Sequence, residues 1–426
     1  MKALITMLVM LVSLASQAVA QTAEAQSAEA PAAPGLLERA GATVTLRLGL
    51  WSSTRELDSD GPLGAGMLWG KVTRPVTPHI SFFVEGWAAL RGPFSDGDAR
   101  GELREAFVTV TSGPLELRAG RQVIAWGRAD GINPTDNLTG QDLTLLAPDD
   151  SDRRLGATAF RATYAHRDVT ATVIWLPEFR SHRVPLPALA GDLASSESRW
   201  EPEQMAVRVE QTGRAIDWSV SAFNGRDLNP DLGVRGGSEA TQLTLTHHRI
   251  RIIGADATGN IGRYGLRAEV AYNRTDDGTG ARPFVKNPFL FVVVGGDRTF
   301  HEHLNVNVQY LFRFVTHFTR SDLRDATFAN VVAVEQAAFS NQARRTQHGA
   351  STRVSHKWLH DTLEAELAAA GYAAPHGMTF RPKVTYAVTD RMKVLVGGEF
   401  YRGDPESVFG ILRDNSGAYV EVRWSF

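Results

Sequence analysis

Between Leu304 and Phe314 every even position is apolar, while Asn305, Asn307, Gln309 and Arg313 share the odd positions. A period of two separates those sets only on an extended strand. The same reading holds for Val44, Leu46, Leu48 and Leu50 against Thr45, Arg47 and Gly49, and for Met205, Val207 and Val209 against Ala206, Arg208 and Glu210. It recurs where Leu266, Ala268, Val270 and Tyr272 oppose Arg267, Glu269, Ala271 and Asn273, and where Phe380, Val384 and Tyr386 oppose Arg381, Lys383 and Thr385. Each run is about 9 to 12 residues long, the length at which a tilted strand crosses a bilayer.

Short turns such as Ser112-Gly113-Pro114, His166-Arg167-Asp168 and Thr389-Asp390-Arg391 alternate with long polar connections, the longest near 126–152, 178–202, 226–248 and 319–343. Transmembrane barrels have that asymmetry, with short periplasmic turns and long outer loops. Counting on this basis gives about eighteen antiparallel strands between residues 42 and 426, with sixteen as the alternative, and an even number returns both ends to the periplasm. The expected fold is therefore an all-β transmembrane barrel over 41–426, preceded by an Ala-, Glu- and Pro-rich flexible leader at 21–40.

The first twenty residues change the picture by fixing a route. Lys2, an apolar run from Ala3 to about Leu14 and Ala18-Val19-Ala20 have the form of a secretory signal peptide. The run falls short of the roughly 18 residues a spanning helix requires. With export, strand length and parity, the expected location is the outer membrane of a Gram-negative-type cell. The final strand supports this: Val420, Val422, Trp424 and Phe426 share one face, and a terminal aromatic such as Phe426 resembles the signal read by the barrel-assembly machinery. Net charge is −2 with no basic tail, which removes the electrostatic footprint of a nucleic-acid binder. Cysteine is absent, so there is neither a disulfide framework nor a thiolate metal site.

Parity directs Arg47, Arg208, Glu210, Arg267, Glu269, Arg313, Arg381, Lys383, Glu399, Glu421 and Arg423 into the lumen. Charges that dense require water or partners, so the interior is wet, internally paired, or both. Both signs are present, unlike the single-sign rings of a strongly ion-selective pore. The expected partners are outer-membrane lipid, the assembly machinery and small polar solutes, with no cofactor. How many copies assemble is not set by the pattern.

The stretch from Leu117 to Asn137 breaks parity. Continuing Leu115, Leu117 and Ala119 would point Arg121 at lipid, where a charge costs roughly 2 to 4 kcal/mol at mid-depth. A bulge at Gly120 is expected to turn it inward. The long connection that follows is expected to fold into the barrel as a constriction, with Arg121, Arg128, Asp130 and Asp136 near the narrowest point and Arg208, Arg267 and Arg313 as wall candidates.

Gly120-Arg121-Gln122, Trp126-Gly127 and Gly131-Ile132-Asn133-Pro134-Thr135-Asp136 together resemble a motif of proteobacterial outer-membrane proteins grouped as a porin-like family of unknown function. The Gly-Arg-Gln piece also resembles alginate-export-type barrels. The first resemblance implies a porin-like barrel. The second implies a lumen dominated by arginine and lysine, whereas this one mixes signs. No Gly-x-Ser-x-Gly or His-Glu-x-x-His motif occurs, so no catalytic or metal site is expected. The expected function is a porin passing small polar or charged solutes. The alternative is a plugged barrel acting as an adhesin, scaffold or complex anchor.

Overall fold

A computed structural model describes residues 36–53, 63–91, 99–145, 147–184, 198–213, 215–237, 240–319, 325 and 327–426. The signal peptide expected at 1–20 lies outside these residues, as does most of the leader expected at 21–40. Its last residues, Leu36–Ala40, form a short helix, α1.

The strands are β1 (Ala42–Ser53), β2 (Leu63–Thr77), β3 (Ile80–Arg91), β4 (Ala99–Ser112), β5 (Leu115–Gln122), β6 (Ala157–His166), β7 (Val169–Trp175), β8 (Glu178–Arg180), β9 (Ser198–Trp200), β10 (Met205–Gln211) and β11 (Ile216–Arg226). Then come β12 (Asp231–Gly237), β13 (Ala240–Thr246), β14 (Arg249–Ile261), β15 (Tyr264–Thr275), β16 (Phe289–Phe300), β17 (Leu304–Val315), β18 (Thr346–Trp358), β19 (Leu363–Tyr372), β20 (Gly377–Ala387), β21 (Met392–Gly403) and β22 (Gly417–Ser425). Two helices interrupt them, α2 (Phe328–Phe339) and α3 (Val408–Ile411).

β8–β9 and β12–β13 form separate two-stranded sheets, and the remaining strands form one 18-stranded sheet. Every pairing in it is antiparallel, and β1 pairs with both β2 and β22, so the sheet closes. Closure satisfies the backbone of every strand, the condition for spanning lipid. The eighteen expected strands are all present, and the sixteen-strand alternative falls away. The long connection expected near 226–248 carries the β12–β13 hairpin, which pairs with itself outside the barrel wall.

Burial is inverted relative to a soluble protein. Leu48, Leu68, Val173, Val220, Val294 and Val308 are exposed on the outer face, while Asp256, Glu269, Asn307 and Gln309 are buried inside. The bulge expected at Gly120 is absent: β5 keeps unbroken register with β4 and β6 through that residue. Gly120 takes φ +128 instead, which L side chains rarely adopt. The irregularity falls one strand pair away, where Glu85 and Gly86 of β3 face Glu105 and Leu103 and leave Arg104 as the extra residue.

Candidate functional site

At Gln122 the chain leaves the wall and does not return until Ala157. Between them, its polar groups bond to mid-strand residues around most of the ring. β17 and β18, which it reaches, lie on the far side from β5 and β6, so the segment crosses the lumen.

One flank is held by neutral donors around a single carboxylate. Glu269 of β15 accepts from the backbone N–H of Arg128 (3.0 Å), Ala129 (3.1 Å) and Thr135 (2.7 Å), and from the Thr135 hydroxyl (2.8 Å). Converging N–H groups form an anion-binding concavity, here filled by a wall side chain. Gly127 makes this possible: it has φ +99, and a Cβ there would stand 2.7 Å from a Glu269 oxygen. Gln309 of β17 clamps the next residue from both sides, accepting from the Asp130 N–H (2.9 Å) and donating to the Asp130 carbonyl (2.8 Å).

The other flank is held by charge. Asp150–Arg153 forms a turn of 3-10 helix whose acids meet an arc of bases on the wall. Asp149 pairs with Lys383 (3.2 Å) and Arg423 (2.6 Å), Asp150 with Arg381 (2.5 Å) and Arg353 (3.3 Å), and Asp152 with Arg47 (2.5 Å) and Arg423 (3.5 Å). Arg153 pairs with Glu399 in return, and Arg104 donates to the carbonyls of Ser151 and Arg154. Burial works against the Asp150 charge, but Arg381, Arg153 and Arg353 outweigh it and hold the carboxyl at about 2. Asp149 is lowered in the same way, burial being overcome by Arg423 and Lys383.

The expected site residues are distributed over this arrangement. Arg128 and Arg208 come together on Asp256, at 2.6 Å and 3.4 Å, with Glu210 beside both. Asp130 reaches across to Arg353 (3.1 Å). Asp136 turns into the segment itself, pairing with Arg154 (2.7 Å) and accepting from the Trp126 N–H; burial raises its pKa despite Arg154. Arg121 is paired with Glu178 (2.9 Å) and Glu102 (3.8 Å) at the end of β5, apart from the others. Arg267 pairs with Asp297 toward the opposite end of the barrel. Arg313 lies over the Phe289 and Phe291 rings and donates to the Ser340 and Asn341 carbonyls just beyond α2. Phe426 is 59% exposed, and its N–H bonds the Val44 carbonyl.

Arg353, Gln309, Asp149, Asp150 and Asp152 were not singled out from the sequence. The acid run Asp149-Asp150-Ser151-Asp152 was the available signal, since it complements the bases that parity directs inward.

Beside the segment, toward the chain termini, a cavity of about 570 Å³ opens against β1–β4, lined by Thr45, Arg47, Trp69, Lys71, Glu105 and Asp152 among others. The guanidinium groups of Arg47 and Arg104 lie 4.2 Å and 4.8 Å from the centre of the Trp69 ring. Lys71 makes no ion pair among the described residues.

A second assembly covers the other end of the lumen. Val184, Leu232 and Val332 are buried together, with Leu143, Val234, Leu243, Leu245, Phe284 and Phe339 packed against them. The cluster joins the β12–β13 hairpin, α2 and neighbouring connections into a cap. Beneath it Asp231 accepts from Gln336 (2.6 Å) and pairs with Lys286 (3.4 Å) and His248 (2.7 Å). His182 accepts the Gln141 N–H at its Nδ1 (2.8 Å), and burial pushes its pKa down to about 4.

No family model matches the sequence, and no curated protein matches it. Solved structures do. The chain resembles OccAB1 of Acinetobacter baumannii with a TM-score of 0.56 and 12% identity, over 94% of this chain and 99% of that one. It resembles OpdK of Pseudomonas aeruginosa, in a structure with vanillate, with a TM-score of 0.55 and 10% identity, over 92% and 100%. For OccK5 (OpdH) of the same species the values are 0.53, 10%, 90% and 97%. A further OpdK structure is described as that of an outer membrane protein. At such identities the shared property is the fold: this chain is a porin-like β-barrel of the outer-membrane type.

Proposed function

We propose that this chain is an outer-membrane channel for small polar and charged solutes, with residues 126–152 as its constriction. The observation that carries the reading is the bonding of that segment to mid-strand residues on the far wall, which leaves a solute only the space beside it. Confinement and low dielectric there magnify each charge on a passing solute. Small organic anions suit the remaining space best, because Lys71 offers an unpaired ammonium and Arg47 a guanidinium spread on Trp69. The likeness to OpdK, whose structure holds the aromatic carboxylate vanillate, points to the same class.

Planar-bilayer recording tests the reading. The purified barrel gives stable ohmic steps, and vanillate reduces the current at concentrations that rise about tenfold in Lys71→Gln, the loss of one charge-assisted contact. Unchanged block by vanillate in that variant would remove the anion site. A barrel silent in bilayers would turn the reading to a plugged structural protein, which the apolar cap over the mouth favours. Phe426, exposed at the rim that holds both termini, acts in this reading as the assembly signal. Its deletion lowers the yield of heat-modifiable barrel in membranes while leaving the conductance of assembled molecules unchanged.

A further inference from the structure

The outer face of the barrel carries an arrangement that transport through the lumen does not use. Where β11, β14 and β15 end at the long-loop rim, Arg226 lies directly opposite Arg249, and Arg251 directly opposite Arg274. All four point outward by strand parity: Phe223, Ile250, Ile252 and Asn273, which alternate with them, are buried inside. Like charges facing each other across a strand pair repel and destabilise it. The upper pair is partly compensated, Arg226 by Glu201 (2.7 Å) and Arg249 by Glu203. The lower pair is not. Arg251 donates one long bond to Asn224 Oδ1 (3.3 Å), and the Arg274 guanidinium has no ion pair or hydrogen bond among the described residues.

The depth of the lower pair identifies what meets it. One step down each strand, the outward residues are Ile253, 69% exposed, and Tyr272, 38% exposed. Below them the outer face continues as Ala255 and Ala257 on β14, Val270, Ala268 and Leu266 on β15, and Val220 and Trp218 on β11. The two arginines therefore stand at the upper edge of the apolar band, where acyl chains give way to headgroups. Exposed guanidinium groups at that level, with donors to spare, suit phosphate oxygens, which they bind in a fork.

We propose that the outward rim of β11, β14 and β15 binds the phosphate of an outer-leaflet lipid headgroup, with Arg251 and Arg274 as its ligands. A bound phosphate removes the repulsion between them and fixes lipid against the wall.

The test uses the full barrel in a neutral detergent, exposed to micelles doped with a monophosphorylated lipid A. Lipid retained through gel filtration is measured by phosphorus content. The wild-type barrel retains the lipid, and Arg251→Gln/Arg274→Gln binds it about tenfold more weakly, with unchanged single-channel conductance. Should the double variant fail to assemble, Arg274→Gln alone serves. It melts no lower than wild type in detergent alone, because one like-charge pair is gone, and it loses the upward shift that the phosphorylated lipid gives the wild type. Equal retention by wild type and variants overturns the proposal, as does equal retention of the dephosphorylated lipid. Displacement of the lipid by inorganic phosphate at matching concentration also overturns it, because the site would then be one for free anions.

Discussion

Two assemblies occupy the interior of this barrel, and they lean on its wall to different degrees. The segment 126–152 is tied to the wall throughout: a carboxylate collects N–H donors on one side, acids match wall bases on the other, and Trp126 and Leu138 are buried against apolar wall residues such as Ile174, Phe223 and Ile252. The cap above it is held mainly by apolar burial, with Leu232 and Val332 almost wholly shielded. In a wet lumen the first kind of contact can form only if the wall supplies complementary charge strand by strand, and this wall does. The second kind draws less on the wall: hairpin, helix, loops and Leu143 of the segment bury one another, while Arg313 of β17 holds the chain just beyond α2. In the proposed reading, a segment tied to the wall at many points limits the lumen at a fixed depth, and a cap held mostly by its own burial does not.

Removing each in turn gives the largest effect, although the segment deletion also takes Leu143 from the cap. Deleting residues 138–148 takes out the middle of the crossing segment and raises single-channel conductance severalfold. Deleting the hairpin 231–246 takes out the centre of the cap and changes conductance far less. If the hairpin deletion opens the channel as widely as the segment deletion, the cap is the limiting element and the comparison reverses.

A smaller effect follows from one side chain that holds each assembly. Glu269→Gln keeps the shape but withdraws the charge from four hydrogen bonds, a loss of about 1.5 to 3 kcal/mol in the hold on the segment. The expected result is frequent transitions to higher conductance in a barrel of unchanged heat-modifiability. Gln336→Ala costs the cap a comparable amount, about 1 to 3 kcal/mol, since Asp231 and the Leu232 N–H lose a buried partner. It leaves the current trace quiet. Noise of equal size in both variants would mean that cap and segment move together.

The wall was legible in the sequence because its period of two is imposed by lipid on one face and water on the other, and all eighteen strands follow from it. Parity also directed Arg47, Arg381, Lys383 and Arg423 inward, where they meet the segment. Their partners were harder to read, because Asp150 and Asp152 lie in a 3-10 turn, with Asp149 just before it, whose direction is set by contacts more than two hundred residues away for Asp149 and Asp150. The same holds for Arg313. Its parity is that of a lumen residue, yet the chain after α2 covers it, and nothing local in 328–341 announces where that helix docks. At Gly120 the sequence suggested a bulge that would reverse Arg121, but the one-to-one register with β4 and β6 runs on unbroken, and Arg121 at the strand end meets Glu178 and Glu102, partners that lie far off in the sequence.

The smallest effect is one of pH, and it separates the two assemblies by sign-checked windows. His182 is neutral and buried, with a pKa pushed below its ordinary 6.5 to about 4. Its contribution is complete above 6.5 and is lost as pH falls from there through 4, because the unfolded form takes up the proton first. Asp150 is lowered from 3.8 to about 2, so its contribution is complete above 3.8 and is lost only as pH falls from there through 2. At about pH 5, between these windows, the cap has weakened and the acids facing Arg381 and Arg423 have not. Two places in the segment are exceptions, since burial raises the Asp136 pKa and its pair with Arg154 weakens first, and since the Gln141 N–H is bonded to His182 itself; the reporter amides therefore belong at 149–152. Hydrogen exchange compared between pH 7.5 and about pH 5, corrected for intrinsic rates, should show lost protection in 231–246 and 328–339 and none at 149–152, with single-channel conductance unchanged. Equal loss at both places would show that the segment is held up by the cap, and the charge pairs around Asp149 and Asp150 would then be a consequence of its position and not the cause.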